Sequence, residues 1–235
     1  MTPATLAALL AARREGRSVV LATSLPDGAQ TLIPGPDVPE ALAAAAARAI
    51  ATDRSATVPI GNRSFFLHVH TPPLRLIVVG AVHIAQALVP FAAGTGYAVT
   101  VVDPRRAFAT DARFPDVAVR TDWPDEALDE LRPDGRTAIV TLTHDPKLDD
   151  PALDRALRSA AFYIGALGSR KTHAARLSRL RALGHDDAAL ARIHGPVGLD
   201  LGAVSAPEIA LSIIAQILAT HRSPAAGERA APHAA

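Results

Sequence analysis

The 235-residue sequence contains no cysteine. That absence removes disulfides, thiolate zinc sites, iron–sulfur ligation and thiol nucleophiles together. Any chemistry rests on histidines, carboxylates, Arg and Lys, hydroxyls or a bound cofactor. Charge of neither sign dominates, since 24 Lys and Arg stand against 23 Asp and Glu. No stretch concentrates basic residues with aromatics, so no nucleic-acid partner is expected. An internal repeat, a nucleophile elbow, a zinc-protease helix and a Walker A sequence are also missing. What remains is a composition of 49% hydrophobic and 20% charged residues, which is that of a folded globular chain. The length accommodates one large domain, or a small N-terminal unit joined to a larger one.

One segment imitates a membrane span. Leu76 to Val102 runs for 27 residues without Asp, Glu, Lys or Arg. Gly80, His83, Gln86, Pro90, Gly94 and Gly96 interrupt it, and the apolar runs at its ends are short and rich in Val and Ile. That is the texture of strand, helix and strand in a buried parallel sheet, so no membrane partner is expected. Arg13 and Arg14 follow the first apolar stretch, the reverse of an export signal. The expected compartment is the cytoplasm.

The pattern divides the chain at Thr71-Pro72-Pro73. Residues 1–71 read as a small α+β domain. Thr2-Pro3 caps a helix through Ala12, Ser18 to Ser24 is a strand, the four-proline segment Pro26 to Pro39 is a loop, and Pro39 to Ala51 is an alanine-rich helix. Ala56 to Ile60 and Ser64 to His70 flank Gly61-Asn62 as a hairpin. Residues 72–222 alternate strand and helix. Strands are expected at Leu74–Gly80, Tyr97–Asp103, Val117–Arg120, Thr137–Thr143 and Phe162–Gly165. Helices are expected at Ile84–Ala93, Asp125–Leu131, Pro151–Ser159, Lys171–Leu183 and Ala188–Ile193, with a last one opening at Ser205 through a Ser-x-x-Glu capping box. The fold class is α/β: a doubly wound, Rossmann-like, mostly parallel sheet with a small N-terminal α+β domain. Residues 223–235 read as a disordered tail.

In such a sheet the ligand crevice lies at the carboxyl ends of the strands. Gly80-Ala81-Val82-His83-Ile84-Ala85 follows the first strand at the positions of G-x-G-x-x-G/A, with Val82 at the second glycine. A β-branched residue there obstructs a pyrophosphate and disfavours positive φ. Asp103 stands 23 residues after Gly80, near the spacing of a ribose-binding acid. The pair fits an NAD(P) site, and equally a plain strand-to-helix turn with a structural Asp. His83 opens the helix, where a neutral imidazole can meet a ligand or simply pair with backbone. Arg105 and Arg106 are placed to meet a phosphate or to sit in solvent.

Thr143-His144-Asp145-Pro146 puts an imidazole beside a carboxylate at the crevice rim, suited to hydrogen bonding or proton transfer, with an Asp-Pro turn as the plainer alternative. Gly165-Ala-Leu-Gly168-Ser169-Arg170-Lys171-Thr172 combines glycines, hydroxyls and cations at a helix start. Those groups make an anion cradle, or a simple cap. His68 and His70 share a strand face as two metal ligands would, but no third ligand lies nearby. They read as surface histidines, and no metal site is expected.

Taken in order, five segments resemble a known family. They are Leu76-Ile-Val-Val-Gly-Ala-Val-His-Ile-Ala-Gln-Ala-Leu; Val101-Val-Asp-Pro-Arg with Arg113-Phe-Pro-Asp; Thr143-His-Asp; Tyr163-Ile-Gly-Ala-Leu-Gly-Ser-Arg-Lys; and Gly195-Pro-Val-Gly-Leu-Asp-Leu-Gly-Ala with Pro207-Glu-Ile-Ala. From about Pro72 to Arg222 the chain resembles the xanthine dehydrogenase accessory factor family, XdhC/CoxI. The resemblance implies a maturation factor, more a cofactor-binding chaperone than a catalyst, that binds molybdenum cofactor and assists its sulfuration or insertion into a molybdenum hydroxylase. The implied partner is the large subunit of that hydroxylase, with a sulfur-donor protein and a homodimer as further candidates.

The implied cofactor-binding residues are Gly80, Ala81, His83, Asp103, Arg105, Thr143, His144, Asp145, Gly165, Gly168, Ser169, Arg170 and Lys171. Gly168-Ser169-Arg170 would take the phosphate, with His83 and His144 nearer the metal. The chain departs from the family at Val82, where a glycine is usual, and in lacking the N-terminal Gly-Cys-Glu motif. Two other readings stand beside this one: an NAD(P)-dependent oxidoreductase built on Gly80 and Asp103, and a family member that only docks on its client.

Overall fold

The computed structural model describes residues 1–223, which form two compact units, Met1–Pro72 and Pro73–Ser223. The tail expected at 223–235 lies, beyond Ser223, outside the described residues.

The first unit contains α1 (Pro3–Arg14), β1 (Val19–Ser24), β2 (Gln30–Ile33), α2 (Glu40–Thr52), β3 (Ala56–Ile60) and β4 (Arg63–His70). Its antiparallel sheet has the order β2-β1-β4-β3. Thr2 caps α1 by accepting the Thr5 N–H at 3.1 Å, and Ile60 pairs with Arg63 across the expected Gly61-Asn62 turn. The expected loop between Pro26 and Pro39 needs correction, because Gln30 to Ile33 pairs with Thr23 to Val20 as β2. Its prolines at 26, 34 and 36 lie outside the paired residues, so none removes a donor from the ladder. Ile33 is buried with Val20, Leu42, Ala46 and Leu67.

The second unit runs β5 (Leu74–Val79), α3 (His83–Gly94), β6 (Tyr97–Val102), β7 (Ala118–Arg120), α4 (Pro124–Leu131), β8 (Thr137–Thr141), α5 (Pro146–Arg158), β9 (Tyr163–Ala166), α6 (Arg170–Ala182), α7 (Asp187–Leu190), β10 (Ile193–His194) and α8 (Ala206–Arg222). Every strand pair is parallel, in the order β10-β9-β8-β5-β6-β7. Counted from β5 this is the doubly wound order of a Rossmann fold, with its switch point between β5 and β8. Val78 and Val140 face one core with Leu88 of α3 and Ile213 of α8. Ile77 and Ile139 face the other with Leu128, Leu153 and Leu180 of α4, α5 and α6. Burial on both faces explains why these strands are continuous apolar runs, and each fully buried aliphatic side chain contributes about 1.5–3 kcal/mol.

Residues 76–102 form β5, α3 and β6, and among the described residues no helix is long and apolar enough to cross a membrane.

Two helices differ from expectation. The helix expected at Pro151 starts at Pro146, because Asp145 caps it by accepting the Lys147 N–H at 2.9 Å. A proline at the first position costs nothing there. The helix expected at Ala188–Ile193 shrinks to the four residues of α7, and Ile193 and His194 instead pair with Ile164 and Gly165 as β10.

Candidate functional site

The loops after β5, β6, β8 and β9 converge at the carboxyl edge of the sheet. Gly80 ends β5 at φ +113°, and a Cβ there would lie 2.6 Å from Cγ2 of Thr143. Only glycine allows the two loops to approach so closely at that backbone angle. The next residue is held at both backbone atoms. Ala81 donates its N–H to Asp103 Oδ2 at 2.8 Å and accepts from Arg113 Nη1 at 2.8 Å.

Asp103 is fully buried, and its carboxylate also accepts from the Arg105 backbone N–H, Nε and Nη2 at 3.0, 2.9 and 2.7 Å. Burial pushes this carboxyl up, but the hydrogen bonds from Arg105 and from the Ala81 N–H outweigh it and hold the group below the usual carboxylate range. Of the two roles open to Asp103, a ribose-binding acid or a structural Asp, the bonds to Ala81 and Arg105 are those of the second. Arg105 and Arg113 both lie over the Phe108 ring, at 4.7 and 5.7 Å.

Val82 corrects an expectation. Its backbone is extended, with φ −96° and ψ 175°, so a β-branched residue is accommodated without strain, and the left-handed angle falls at Gly80 instead. The Val82 side chain packs against the core, and no side-chain cap closes the N-terminus of α3. His83 is exposed at the first residue of that helix.

The loop after β8 rests on a buried carboxylate. Thr143 Oγ1 donates to Asp149 Oδ1 at 2.6 Å, and the Asp145 N–H donates to Thr143 Oγ1 at 3.2 Å. His144 sits between them, exposed and at φ +61°. The Asp145 carboxylate serves as the cap of α5. Asp149 meets Arg176 Nη2 at 3.4 Å, and the same nitrogen donates to the Leu167 carbonyl at 2.8 Å. Both side chains are only 2% exposed. Burial pushes the Asp149 carboxyl up and the Arg176 guanidinium down. This pair links the loop after β8 to the loop after β9.

In that last loop a Cβ on Gly165 would lie 2.5 Å from Cγ2 of Val197, and Gly168 takes φ +140°. Ser169 caps α6 by accepting the Thr172 N–H at 3.1 Å. Arg170 and Lys171 are exposed beside it. Arg170 and Leu167 line a cavity of about 370 Å³ whose remaining wall is formed by residues 196–203 with Ile209 and Ser212 of α8. The volume lies in the range of small-molecule sites.

The structure therefore brings Gly80, Ala81, Asp103, Arg105 and Thr143 into one contacting group. Of the loop after β9, Arg170 lines the cavity, whereas Gly165 packs against Val197, Gly168 lies against Thr172, and the Ser169 hydroxyl is taken up as the cap of α6. The His68 and His70 rings lie 4.2 Å apart and tilted at 47° in the first unit, and among the described residues no three His, Asp or Glu gather as a metal site. Sequence reasoning missed Arg113, Asp149 and Arg176 as contributors to the crevice, and the wall at 196–203. Arg113 and that wall lie inside the quoted motifs, which was the available signal.

A family model described as the XdhC Rossmann domain matches residues 76–217. Among curated proteins, the chain is 34% identical over 163 residues to an uncharacterized protein, YqeB, of Escherichia coli K12, covering 67% of this chain and 29% of that one. It is 34% identical over 146 residues to the molybdenum cofactor insertion chaperone PaoD of the same organism, covering 62% and 40%. It is 33% identical over 160 residues to a probable xanthine dehydrogenase subunit of Bacillus subtilis 168, covering 68% and 46%. The matches thus span less than half of each curated relative. A crystal structure described as a xanthine dehydrogenase from Bacillus halodurans superposes with a TM-score of 0.71 at 25% identity, covering 97% of this chain and 66% of that one. The doubly wound order, the locked Gly80 turn and these matches agree, and the chain belongs to the XdhC family through its Rossmann domain.

Proposed function

We propose that the protein is a maturation factor for a molybdenum hydroxylase, which holds molybdenum cofactor and assists its sulfuration or insertion. The observation that carries this reading is the cavity of about 370 Å³ at the carboxyl edge of the sheet, where Arg170 opens α6. The first N–H groups of a helix have no intrahelical acceptors and, with the dipole, favour an anion. The donor set therefore fits the cofactor's phosphate, with Gly168, Ser169, Arg170 and Lys171 around it and His83 and His144 toward the metal. When bound, the cofactor supplies the molybdenum centre that the client needs. The relatives named for cofactor insertion and for xanthine dehydrogenase support the same reading.

The proposed client is the large subunit of the hydroxylase, and the proposed compartment is the cytoplasm. A chain without cysteine contributes no thiol, so any sulfur is delivered by a separate donor protein. Self-association as a homodimer completes the proposed set of partners. The occupied carboxylate of Asp103 favours this reading over a nicotinamide-dependent oxidoreductase.

The test is an equilibrium titration of the purified chain with molybdenum cofactor released from a molybdoenzyme, run beside NAD(H) and NADP(H). The expected result is binding of the cofactor alone, weakened at least tenfold in Ser169→Ala/Arg170→Ala. No cofactor binding by the unaltered chain ends the proposal. Unchanged affinity in the double variant moves the phosphate elsewhere.

A further inference from the structure

The cavity beside α6 carries two charges of opposite sign. Arg170 and Asp200 are the ionisable residues of its lining, and Leu167, Val197, Leu199 and Ile209 contribute apolar wall. Neither charge is paired with the other or with another described residue. Both remain available to a ligand.

The segment that carries Asp200 is anchored on each side. The Gly198 N–H donates to Gln216 Oε1 at 2.8 Å, and the Leu199 N–H donates to the Ser212 carbonyl at 3.2 Å. Gly198 sits at φ +96°, and a Cβ there would lie 2.3 Å from Ser212 Oγ, so the backbone lies directly on α8. After Asp200, the Leu201 N–H turns back to the Leu199 carbonyl at 2.9 Å, and the Val204 N–H donates to Glu208 Oε2 at 2.8 Å. Gln216 is itself held by the Tyr163 hydroxyl at 2.6 Å. Asp200 thus occupies the tip of a short turn tied to α8 before and after it. A carboxylate presented in this way needs little further ordering on binding.

We infer that Asp200 reads the amino-amide edge of a pterin ring and so determines which bicyclic ligand the cavity admits. This rests on the cofactor reading proposed above. A pterin carries a ring N–H and an exocyclic amino group side by side, two donors facing the same way. A carboxylate offers two acceptor oxygens to such an edge, the complementary fork. Arg170 and the start of α6 attract the phosphate, while the apolar side chains cover the ring. The two charges therefore orient the ligand, donor edge toward Asp200 and anion toward Arg170. A ring bearing a carbonyl in place of the amino group sets acceptor against acceptor at Asp200 and leaves both without a partner.

Fluorescence titration of the full chain with two probes tests this: pterin (2-amino-4-oxopteridine) and lumazine (2,4-dioxopteridine), which differ at that one substituent. The expected result is pterin bound at least tenfold more tightly than lumazine. In Asp200→Asn, a substitution at an exposed position checked by thermal unfolding, pterin binding weakens at least tenfold and the preference disappears. Equal affinities in the unaltered chain, an unchanged preference in Asp200→Asn, or no pterin binding overturns the inference. The molybdenum cofactor titration separates the two failures. Cofactor bound with a preference indifferent to Asp200 removes this inference alone, whereas neither cofactor nor pterin bound removes the maturation reading as well.

Discussion

Gly80 and Thr143 meet across the switch point of the sheet so closely that a single added carbon on Gly80 would stand 2.6 Å from the Thr143 methyl group. The first prediction concerns that contact. Gly80→Ala combines a left-handed backbone angle of +113° with a clash against a loop. Each effect costs about 1–3 kcal/mol. Urea unfolding should show the variant less stable by at least about 2 kcal/mol, and a loss below about 0.5 kcal/mol would mean that the loops move apart freely.

Asp103 supplies a pH prediction. Its carboxyl is held below the usual range by the Arg105 side chain and by the Ala81 and Arg105 N–H groups, which together outweigh the burial that pushes it up. A depressed folded pKa adds stability that is present above the unfolded value, about 3.9, and is lost as pH falls through the folded pKa. Asp103→Asn should therefore cost about 1–3 kcal/mol at pH 7, discounted because the Arg105 side chain is 39% exposed. The difference from the unaltered protein should shrink when unfolding is measured at about pH 2–3. A difference independent of pH would show that the charge is not what locks the turn.

The buried Asp149–Arg176 pair makes a different kind of prediction. Asp149→Leu leaves the Arg176 guanidinium buried without its anion, a loss of about 3–5 kcal/mol. Asp149→Leu/Arg176→Met removes the stranded charge, so the double variant should be more stable than the first single variant. A double-mutant cycle measures the coupling. Additive losses would mean that the two groups, 3.4 Å apart, do not interact.

Gln216 is predicted to matter more for the ligand than its place on α8 suggests. Its Oε1 accepts from both the Gly198 N–H and the Tyr163 hydroxyl, and burial pushes the Tyr163 phenol up, so it remains a donor through neutral pH. Gln216→Leu leaves two donors unpaired, which costs about 1–3 kcal/mol for each. Molybdenum cofactor affinity should fall with it, because the wall at 196–203 loses an anchor. Unchanged affinity at reduced stability would place the ligand away from that wall.

Much of the sheet was legible because buried parallel strands are written as unbroken apolar runs, and because Gly80, Gly165 and Ser205 mark their own turns or caps locally. Other features depended on distant partners. Gln30 to Ile33 looked like loop among prolines until Val20 to Thr23 lay beside it. Ile193 and His194 are a strand only because Ile164 and Gly165 give them an edge. Arg113 reaches back 32 residues to the Ala81 carbonyl, and Arg176 reaches back 27 to Asp149. No local pattern announces such bonds. Asp103 and Asp145, each open from the sequence to a ligand-facing or a structural role, are engaged with their own chain as a turn lock and a helix cap.

The unstrained backbone of Val82 separates two duties that a glycine-rich turn usually joins. Gly80 bears the left-handed angle, and Val82 adds its side chain to the packed core. A mutation that places glycine at 82 therefore keeps the backbone angles of the turn and gives up the packing of one half-buried side chain, a change of core contacts and not of architecture.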